Sequence, residues 1–339
     1  MALAIGLDVH RAQIAFDALD EETGEVKTGR ISPADRPNLR RFLAGFAGQE
    51  VRAALEATTG WRFVCEELER IAAEVHLAEP ADTRARRGSK RRAKTDRLDA
   101  RHLRELLLEG RLPESWIPPA HILELRSQVR LRHTLVDERT AWLQRVHAVL
   151  FHHGVSRPGR LAGRDAQERL AELDLPPSAR RQIDVALAMV EQINADVASL
   201  DRELRSFARR QPGCRALMEH PGVGARVATA MLAELGDTRR FSSSRHAVRF
   251  AGLDVTVDQS DDKRRPGRLS RQGPPVLRWA AFEAAETACR PSSPDHEYYL
   301  KTKERLGANR ACLSIARKLI RRAHHTLREL GDEALQPVG

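Results

Sequence analysis

The chain opens on an apolar run, residues 3–9, interrupted by a single acid, Asp8. A run this short with polar flanks predicts a buried strand. Residues 12–19 and 25–31 predict two more, with Glu21-Glu22-Thr23-Gly24 as the turn between them. Ser32 before Pro33 predicts a helix start, and Leu39, Phe42, Leu43 and Phe46 then recur at steps of three and four. Residues 51–57 predict a fourth strand, and 61–73 a helix with Val64, Leu68 and Ile71 inward. Residues 74–78 predict a fifth strand, and 95–109 a helix with Leu98, His102, Leu103 and Leu106 at helical spacing. A hairpin followed by αβ units implies a mixed sheet. The order of elements is that of an α/β ribonuclease-H-like fold.

Two long helical patterns follow. One runs from Ile122 to about Val155 with Leu125, Val129, Leu131, Leu135, Trp142, Val146 and Val149 as its apolar positions. The other spans Ser178 to Arg210, with Ile183, Leu187, Val190, Ile193, Val197, Leu200, Leu204 and Phe207. Sustained steps of three and four suit a coiled-coil seam or a long helical hairpin, within one chain or between two. Beyond them, His220-Pro221-Gly222-Val223-Gly224 precedes an apolar helix over 225–235. A Gly-rich turn that opens a helix can offer N–H groups to a phosphate through Gly222 and Gly224, and it matches a helix-hairpin-helix element; a plain helix start fits equally. Helices are expected over 241–251, 276–288 and 308–330, with a loop over 252–273. The expected organisation is a catalytic domain over 1–113, long helices over 114–210, and a mainly helical C-terminal domain over 211–339.

Charge adds a partner class. Lys and Arg number 57 against 47 Asp and Glu, a formal net charge of +10, which favours polyanions. The four cysteines, Cys65, Cys214, Cys289 and Cys312, form no CxxC pair, so a zinc site or disulfide framework is not expected. The N-terminus lacks a basic leader and cleavage site, and no apolar stretch of about 20 residues occurs. A cytoplasmic protein without a membrane span is the expectation.

The acids supply the chemistry. Asp8 ends the first strand and Glu56 lies late in the fourth, which neighbours the first in a ribonuclease-H sheet. Asp96 and Asp99 are three apart, nearly on one helix face. An unpaired acid in an apolar strand is costly, which favours function for Asp8 and, more weakly, for Glu56. Asp96 and Asp99 could instead pair with Arg92, Arg97 or Arg101; only the set of four points to metal. Hard oxygen ligands suit Mg²⁺ or Mn²⁺, and two such ions can clamp a phosphoryl transfer.

Basic residues crowd the segment before the second acid pair: Arg84, Arg86, Arg87, Lys90, Arg91, Arg92 and Lys94. A second cluster, Lys263, Arg264, Arg265, Arg268 and Arg271, lies in the 252–273 loop. Beside a phosphodiester site such runs would grip the backbone; elsewhere they are solvated faces. Ser260 and Ser270 lie among the second cluster, and a serine flanked by arginines could attack a phosphodiester. No local base is visible in the sequence for either.

At this point the chain resembles the DEDD transposases of the insertion-sequence one-ten family, bridge-RNA-guided recombinases. The residues that carry the resemblance are Gly6-Leu7-Asp8-Val9-His10, Leu55-Glu56-Ala57-Thr58 and Lys94-Thr95-Asp96-Arg97-Leu98-Asp99-Ala100. Pro221-Gly222-Val223-Gly224, Phe250-Ala251-Gly252-Leu253 and Gly267-Arg268-Leu269-Ser270-Arg271-Gln272-Gly273 continue it in the C-terminal half, before Leu277-Arg278. The resemblance implies a RuvC-like domain whose four acids bind Mg²⁺, a coiled coil, and a C-terminal transposase domain whose serine forms a phosphoserine link to DNA. Ser260 is the best match for that serine, although Asp261 and Asp262 stand where a glycine commonly follows. It further implies donor and target DNA, a noncoding guide RNA, a homo-oligomer whose subunits share sites, and a bacterial, nucleoid-associated location. Two other functions compete: a structure-selective nuclease using the same acids without a serine, and a noncatalytic nucleic-acid-binding protein.

Overall fold

The computed structural model describes residues 2–86, 95–155, 161, 164–255, 258–260, 263–265 and 267–338; the side chains of 164–167, 258–260 and 263–265 are outside that description. The chain divides into two compact units, Met1–Ile117 and Pro118–Gly339.

In the first unit, β1 (Ala2–Val9) is the centre of a five-stranded mixed sheet. It pairs antiparallel with β2 (Ile14–Asp20), which pairs with β3 (Val26–Ile31). On its other side it runs parallel to β4 (Glu50–Glu56), which pairs with β5 (Glu74–Ala78), giving the order β3-β2-β1-β4-β5. Strand alternation assigns the two faces. Leu3, Ile5, Leu7 and Val9 point to one side, where they pack with Leu39 and Leu43 of α1 (Arg36–Ala44) and Val64 and Leu68 of α2 (Trp61–Glu69). Two further helices complete the unit, α3 (Pro80–Arg86) and α4 (Asp96–Leu108). The opposite face of the sheet receives α4, where Ala54 and Ala78 cluster with Leu103 and Leu107.

That second face is built for close approach. A Cβ added at Gly6 would lie 1.9 Å from the carbonyl oxygen of Ala100 in α4. Asp17, paired across the sheet with Gly6, accepts a 2.6 Å bond from Arg104 Nε of α4, with the two side chains only 3% and 8% exposed. Removing one partner of such a pair leaves an uncompensated buried charge and costs about 3–5 kcal/mol. Arg104→Ala is therefore expected to lower stability by that amount in urea unfolding; a loss below about 1 kcal/mol, the range of an exposed pair, would show that the pair does not fasten the helix.

In the second unit, α5 (Ala120–His152) and α7 (Pro177–Arg210) form an antiparallel hairpin, with α6 (Arg164–Ala171) near its tip. Val146, Leu150, Leu161, Leu170, Ile183 and Ala186 fill the tip. At the base, Leu125, Val129, Leu204 and Ala208 join the core of the C-terminal helices. These are α8 (Pro212–Met218), α9 (Ala225–Leu235), α10 (Ser244–Phe250), α11 (Pro275–Ala288), α12 (His296–Leu306) and α13 (Ala308–Leu330). Two short strands, β6 (Asp258–Ser260) and β7 (Lys263–Arg265), pair as a hairpin inside the segment expected to be a loop.

Several expectations shift. The first helix starts at Arg36 rather than at Pro33, because the Asp35 carboxylate accepts from the Asn38 N–H at 2.9 Å and caps it there. The helix expected over 61–73 ends at Glu69, and Ala72 adopts a φ of 54°. Leu98 is 43% exposed, so the buried stripe of α4 is Ala100, Leu103, Arg104, Leu106 and Leu107. Leu131 is likewise outside the hairpin seam; Arg132 is buried in its place and donates to Asp201 at 2.6 Å. Among the described residues, no helix is long and apolar enough to cross a membrane.

Candidate metal centre

The in-register pairing of β1 with β4 ends at Leu7–Leu55, so Asp8 and Glu56 are the next residues of two adjacent strands. Alternation puts Asp8 on the face of Gly6, and Glu56 on the face of Ala54, both toward α4. On α4, Thr95 caps the N-terminus by accepting from the Leu98 N–H, which sets Asp96 and Asp99 in the first turn. The positive end of the helix stabilises acids there. The close seating of α4 at Gly6 thus fixes the distance from its first turn to the strand ends.

Two side chains from the β1–β2 turn complete the cluster. His10 Nε2 lies 3.1 Å from Asp8 Oδ2 and 3.7 Å from Asp96 Oδ1. Gln13 donates to Asp96 Oδ2 at 2.9 Å. The turn is closed by the His10 N–H donating to the Gln13 carbonyl at 3.0 Å. One ligand atom from each of Asp8, His10 and Asp96 falls within 4.8 Å of the others, close enough to share one cation.

The electrostatics suit such a cation. Burial pushes the Asp8 carboxyl above the usual carboxylate range; His10 holds it down, and the negative charges of Asp99 and Asp96 push it up again. Asp8 is 13% exposed, whereas Asp96 is 37% and His10 is 53% exposed. A partly buried acid facing two others is destabilised as a bare anion, and a positive ion relieves it. Sequence reasoning missed His10 and Gln13 as site residues. The signal for His10 was present, two residues beyond Asp8; Gln13 had none, because only the tight turn brings it to Asp96.

A family model for DEDD transposases of the IS110 group, described as a transposase, matches residues 5–153. A second model, the transposase IS116/IS110/IS902 family, matches residues 214–300. The chain belongs to the DEDD transposases of the IS110 family. Among similar proteins, "Putative transposase y4rJ" of Sinorhizobium fredii is 28% identical over 322 residues, covering 84% of this chain and 80% of that one. The transposase for insertion sequence element IS1328 of Yersinia enterocolitica is 24% identical over 293 residues, covering 83% and 82%. The transposase for IS1111A of Coxiella burnetii is 26% identical over 234 residues, covering 66% and 64%. Membership of an IS110 family implies that the protein acts on DNA by cutting and rejoining it.

The remaining expected residues of this transposase are spread more widely. Arg84 and Arg86 are exposed on α3, while Arg87, Lys90, Arg91, Arg92 and Lys94 lie outside the described residues. Gly222 has a φ of 83°, and a Cβ there would meet the Ala284 carbonyl of α11 at 2.2 Å, so packing already accounts for this glycine. Gly224 is exposed at the start of α9, with nothing within 4 Å of an added Cβ. Ser260 ends β6, and Lys263, Arg264 and Arg265 form β7; their side chains lie outside the described residues. Ser270 donates its hydroxyl to the Asp254 carboxylate, a local base that the sequence pattern did not disclose. Arg268 and Arg271 are exposed.

Proposed function

We propose that this IS110-family transposase cuts and rejoins DNA at a Mg²⁺ or Mn²⁺ centre held by Asp8, Glu56, Asp96 and Asp99 in a ribonuclease-H-like, RuvC-like domain. One observation carries the reading: Asp8, largely buried, faces Asp96 with His10 between them and feels the charge of Asp99. The sheet order β3-β2-β1-β4-β5 with α4 across it supports the ribonuclease-H-like assignment. When bound there, a divalent ion would supply charge neutralisation at a scissile phosphate. Asp8 and Glu56 would hold it from the strand ends, and Asp96 and Asp99 from the helix. Gln13 orients the Asp96 carboxylate through its 2.9 Å bond, and His10 stands between the two aspartates.

In this reading Ser260 is the nucleophile, on the strength of the family resemblance: its oxygen bonds to phosphorus as the ester oxygen of the strand leaves with the proton. A noncoding bridge RNA pairs with donor and target DNA, and the protein acts as a homo-oligomer. The basic arm around β6 and β7 supports a polyanionic partner near that serine. The three-part organisation over 1–113, 114–210 and 211–339 belongs to the same proposal.

The test is cleavage of DNA bearing the element's ends by the full chain, with the RNA transcribed from the element. Strand cleavage is expected to fall to background with a chelator and to return on adding Mg²⁺ or Mn²⁺. Cleavage that persists in the chelator overturns the metal reading. Denaturing gels then assign the serine: Ser260→Ala is expected to abolish the covalent protein–DNA adduct while Ser270→Ala retains it. A Ser260→Ala protein that still cleaves fully is the structure-selective nuclease instead.

A further inference from the structure

The basic arm has a neck whose construction exceeds what a loop requires. Phe250–Asp254 and Leu269–Gly273 run side by side: the Ser270 N–H donates to the Asp254 carbonyl at 3.0 Å, and the Arg271 N–H to the Gly252 carbonyl at 3.2 Å. Val255 and Leu269 form an isolated antiparallel bridge above them. Backbone crowding is severe here. A Cβ at Gly273 would lie 1.9 Å from the Phe250 carbonyl oxygen, and one at Gly252 2.3 Å from that of Gln272. The bare Gly252 also makes room for a guanidinium, because its Cβ would stand 2.6 Å from Arg278 Nη1.

Two arginines meet at this neck. Arg278, in α11, donates Nη1 to the Ala251 carbonyl at 3.4 Å. Arg271 has a φ of 52°, and Ala72 is the only other non-glycine with positive φ among the described residues. A left-handed arginine is strained, and such strain persists where surrounding structure holds it in place. Neither arginine has a carboxylate partner among the described residues; the nearby Asp254 carboxylate is engaged by Ser270. The first turn of α11 adds no acidic residue. Burial, then the neighbouring Arg271, makes the charged form of Arg278 harder to hold. Two like charges are therefore held near the bare Gly252, one partly buried and one on a strained backbone, and neither is in ion-pair contact with an acid among the described residues.

We propose that Arg271 and Arg278 form a seat for a phosphodiester of a nucleic-acid backbone at the neck of the arm that carries Ser260. A phosphate placed between the two guanidiniums accepts charge-assisted hydrogen bonds from both and cancels their repulsion. The seat tracks the backbone and reads no base. It deepens the proposed reading, since it rests on the chain binding nucleic acid, but it needs neither the metal nor the serine.

A purely structural role is the competing account: Arg278 caps the end of α10 and Arg271 merely closes a turn. Two variants separate these. Arg278→Gln keeps an N–H donor for the Ala251 carbonyl and loses the charge. Arg271→Gly removes the charge and relieves the left-handed backbone. Each is made in the full chain and titrated with a labelled duplex DNA and with a labelled RNA hairpin between about 50 and 200 mM salt. The slope of log affinity against log salt is expected to become shallower by about one for each variant, and by about two for the double variant, on at least one probe. Melting of Arg271→Gly is expected to be unchanged or higher. Loss on the DNA alone assigns the seat to the DNA strand, and loss on the RNA alone to the guide. Slopes that stay unchanged on both probes overturn the seat, as does an affinity loss matched by a lower melting temperature in both variants. An unmodified chain that binds neither probe in a salt-dependent way overturns the seat together with the nucleic-acid reading. Failure of the metal reading leaves these slopes untouched.

Discussion

Asp8→Asn is expected to lower metal-dependent strand cleavage by at least about 100-fold, because even residues that only orient metal ligands are worth about 10–100-fold. The same substitution is expected to leave the protein melting no lower than before. Both halves follow from one arrangement. The Asp8 carboxylate is held against desolvation and against the charges of Asp99 and Asp96, with only His10 in its favour. An amide of the same shape removes that cost, so the protein without metal loses nothing, while the proposed centre loses one of its four carboxylates. A structural acid would behave in the opposite way, with stability falling and cleavage following it. Parallel calorimetry and cleavage assays read the two effects, and cleavage within a few-fold of the unmodified protein would sink the assignment of Asp8 to the metal centre.

Gly6→Ala has the largest expected effect on structure. The added methyl would lie 1.9 Å from the Ala100 carbonyl oxygen and 2.8 Å from the Arg104 nitrogen, both backbone atoms of one helix. Neither can swing aside as a side-chain tip would, so α4 must lift from the sheet. Overpacking a core costs about 1–3 kcal/mol and occasionally more, and a clash with backbone belongs at the upper end. Lifting α4 also pulls Arg104 from Asp17 and carries Asp96 away from Asp8 and Gln13. The expected result is a destabilisation of about 3 kcal/mol together with weaker Mn²⁺ binding, measured by unfolding and by calorimetric titration. Gly45→Ala is the control: its φ is −67° and its added Cβ has 3.4 Å to the nearest atom, so stability should stay within about 0.5 kcal/mol. A Gly6→Ala protein as stable as the control would show that the helix does not rest on this glycine.

The strands of the first unit were legible because each is a short apolar run with polar flanks, and the parallel placement of β1 and β4 follows from hairpin-then-αβ order. That logic puts Asp8 and Glu56 at one end of the sheet, where they follow the Leu7–Leu55 pair. Helix boundaries were less legible, since Asp35 and Ser32 are both acceptable caps and only the observed bond to Asn38 decides between them. Leu98 and Leu131 were misjudged for a shared reason. A spacing rule counts apolar residues, whereas burial depends on what lies opposite. Across from the hairpin position next to Leu131 stands Asp201, which draws in Arg132 and turns the leucine outward. The short helices α3, α6, α8 and α12 had too few turns, or too many charges, to show a periodic stripe. Gln13 and the Asp254–Ser270 contact were invisible because each depends on separate chain segments meeting in three dimensions.

The buried Arg132 bears on how the helical hairpin can move. Its Nε is 2.6 Å from Asp201, Arg226 reaches the same carboxylate at 3.8 Å, and its guanidinium carbon lies 5.9 Å from the centre of the Trp279 ring. Sliding α5 past α7 by one turn, about 5.4 Å, would strand both charges inside apolar surroundings. An all-leucine seam has no such objection to slippage. The hairpin is therefore keyed near its base: the Arg132–Asp201 pair sets which turn of one arm faces which turn of the other, a registration that the apolar seam alone would leave open.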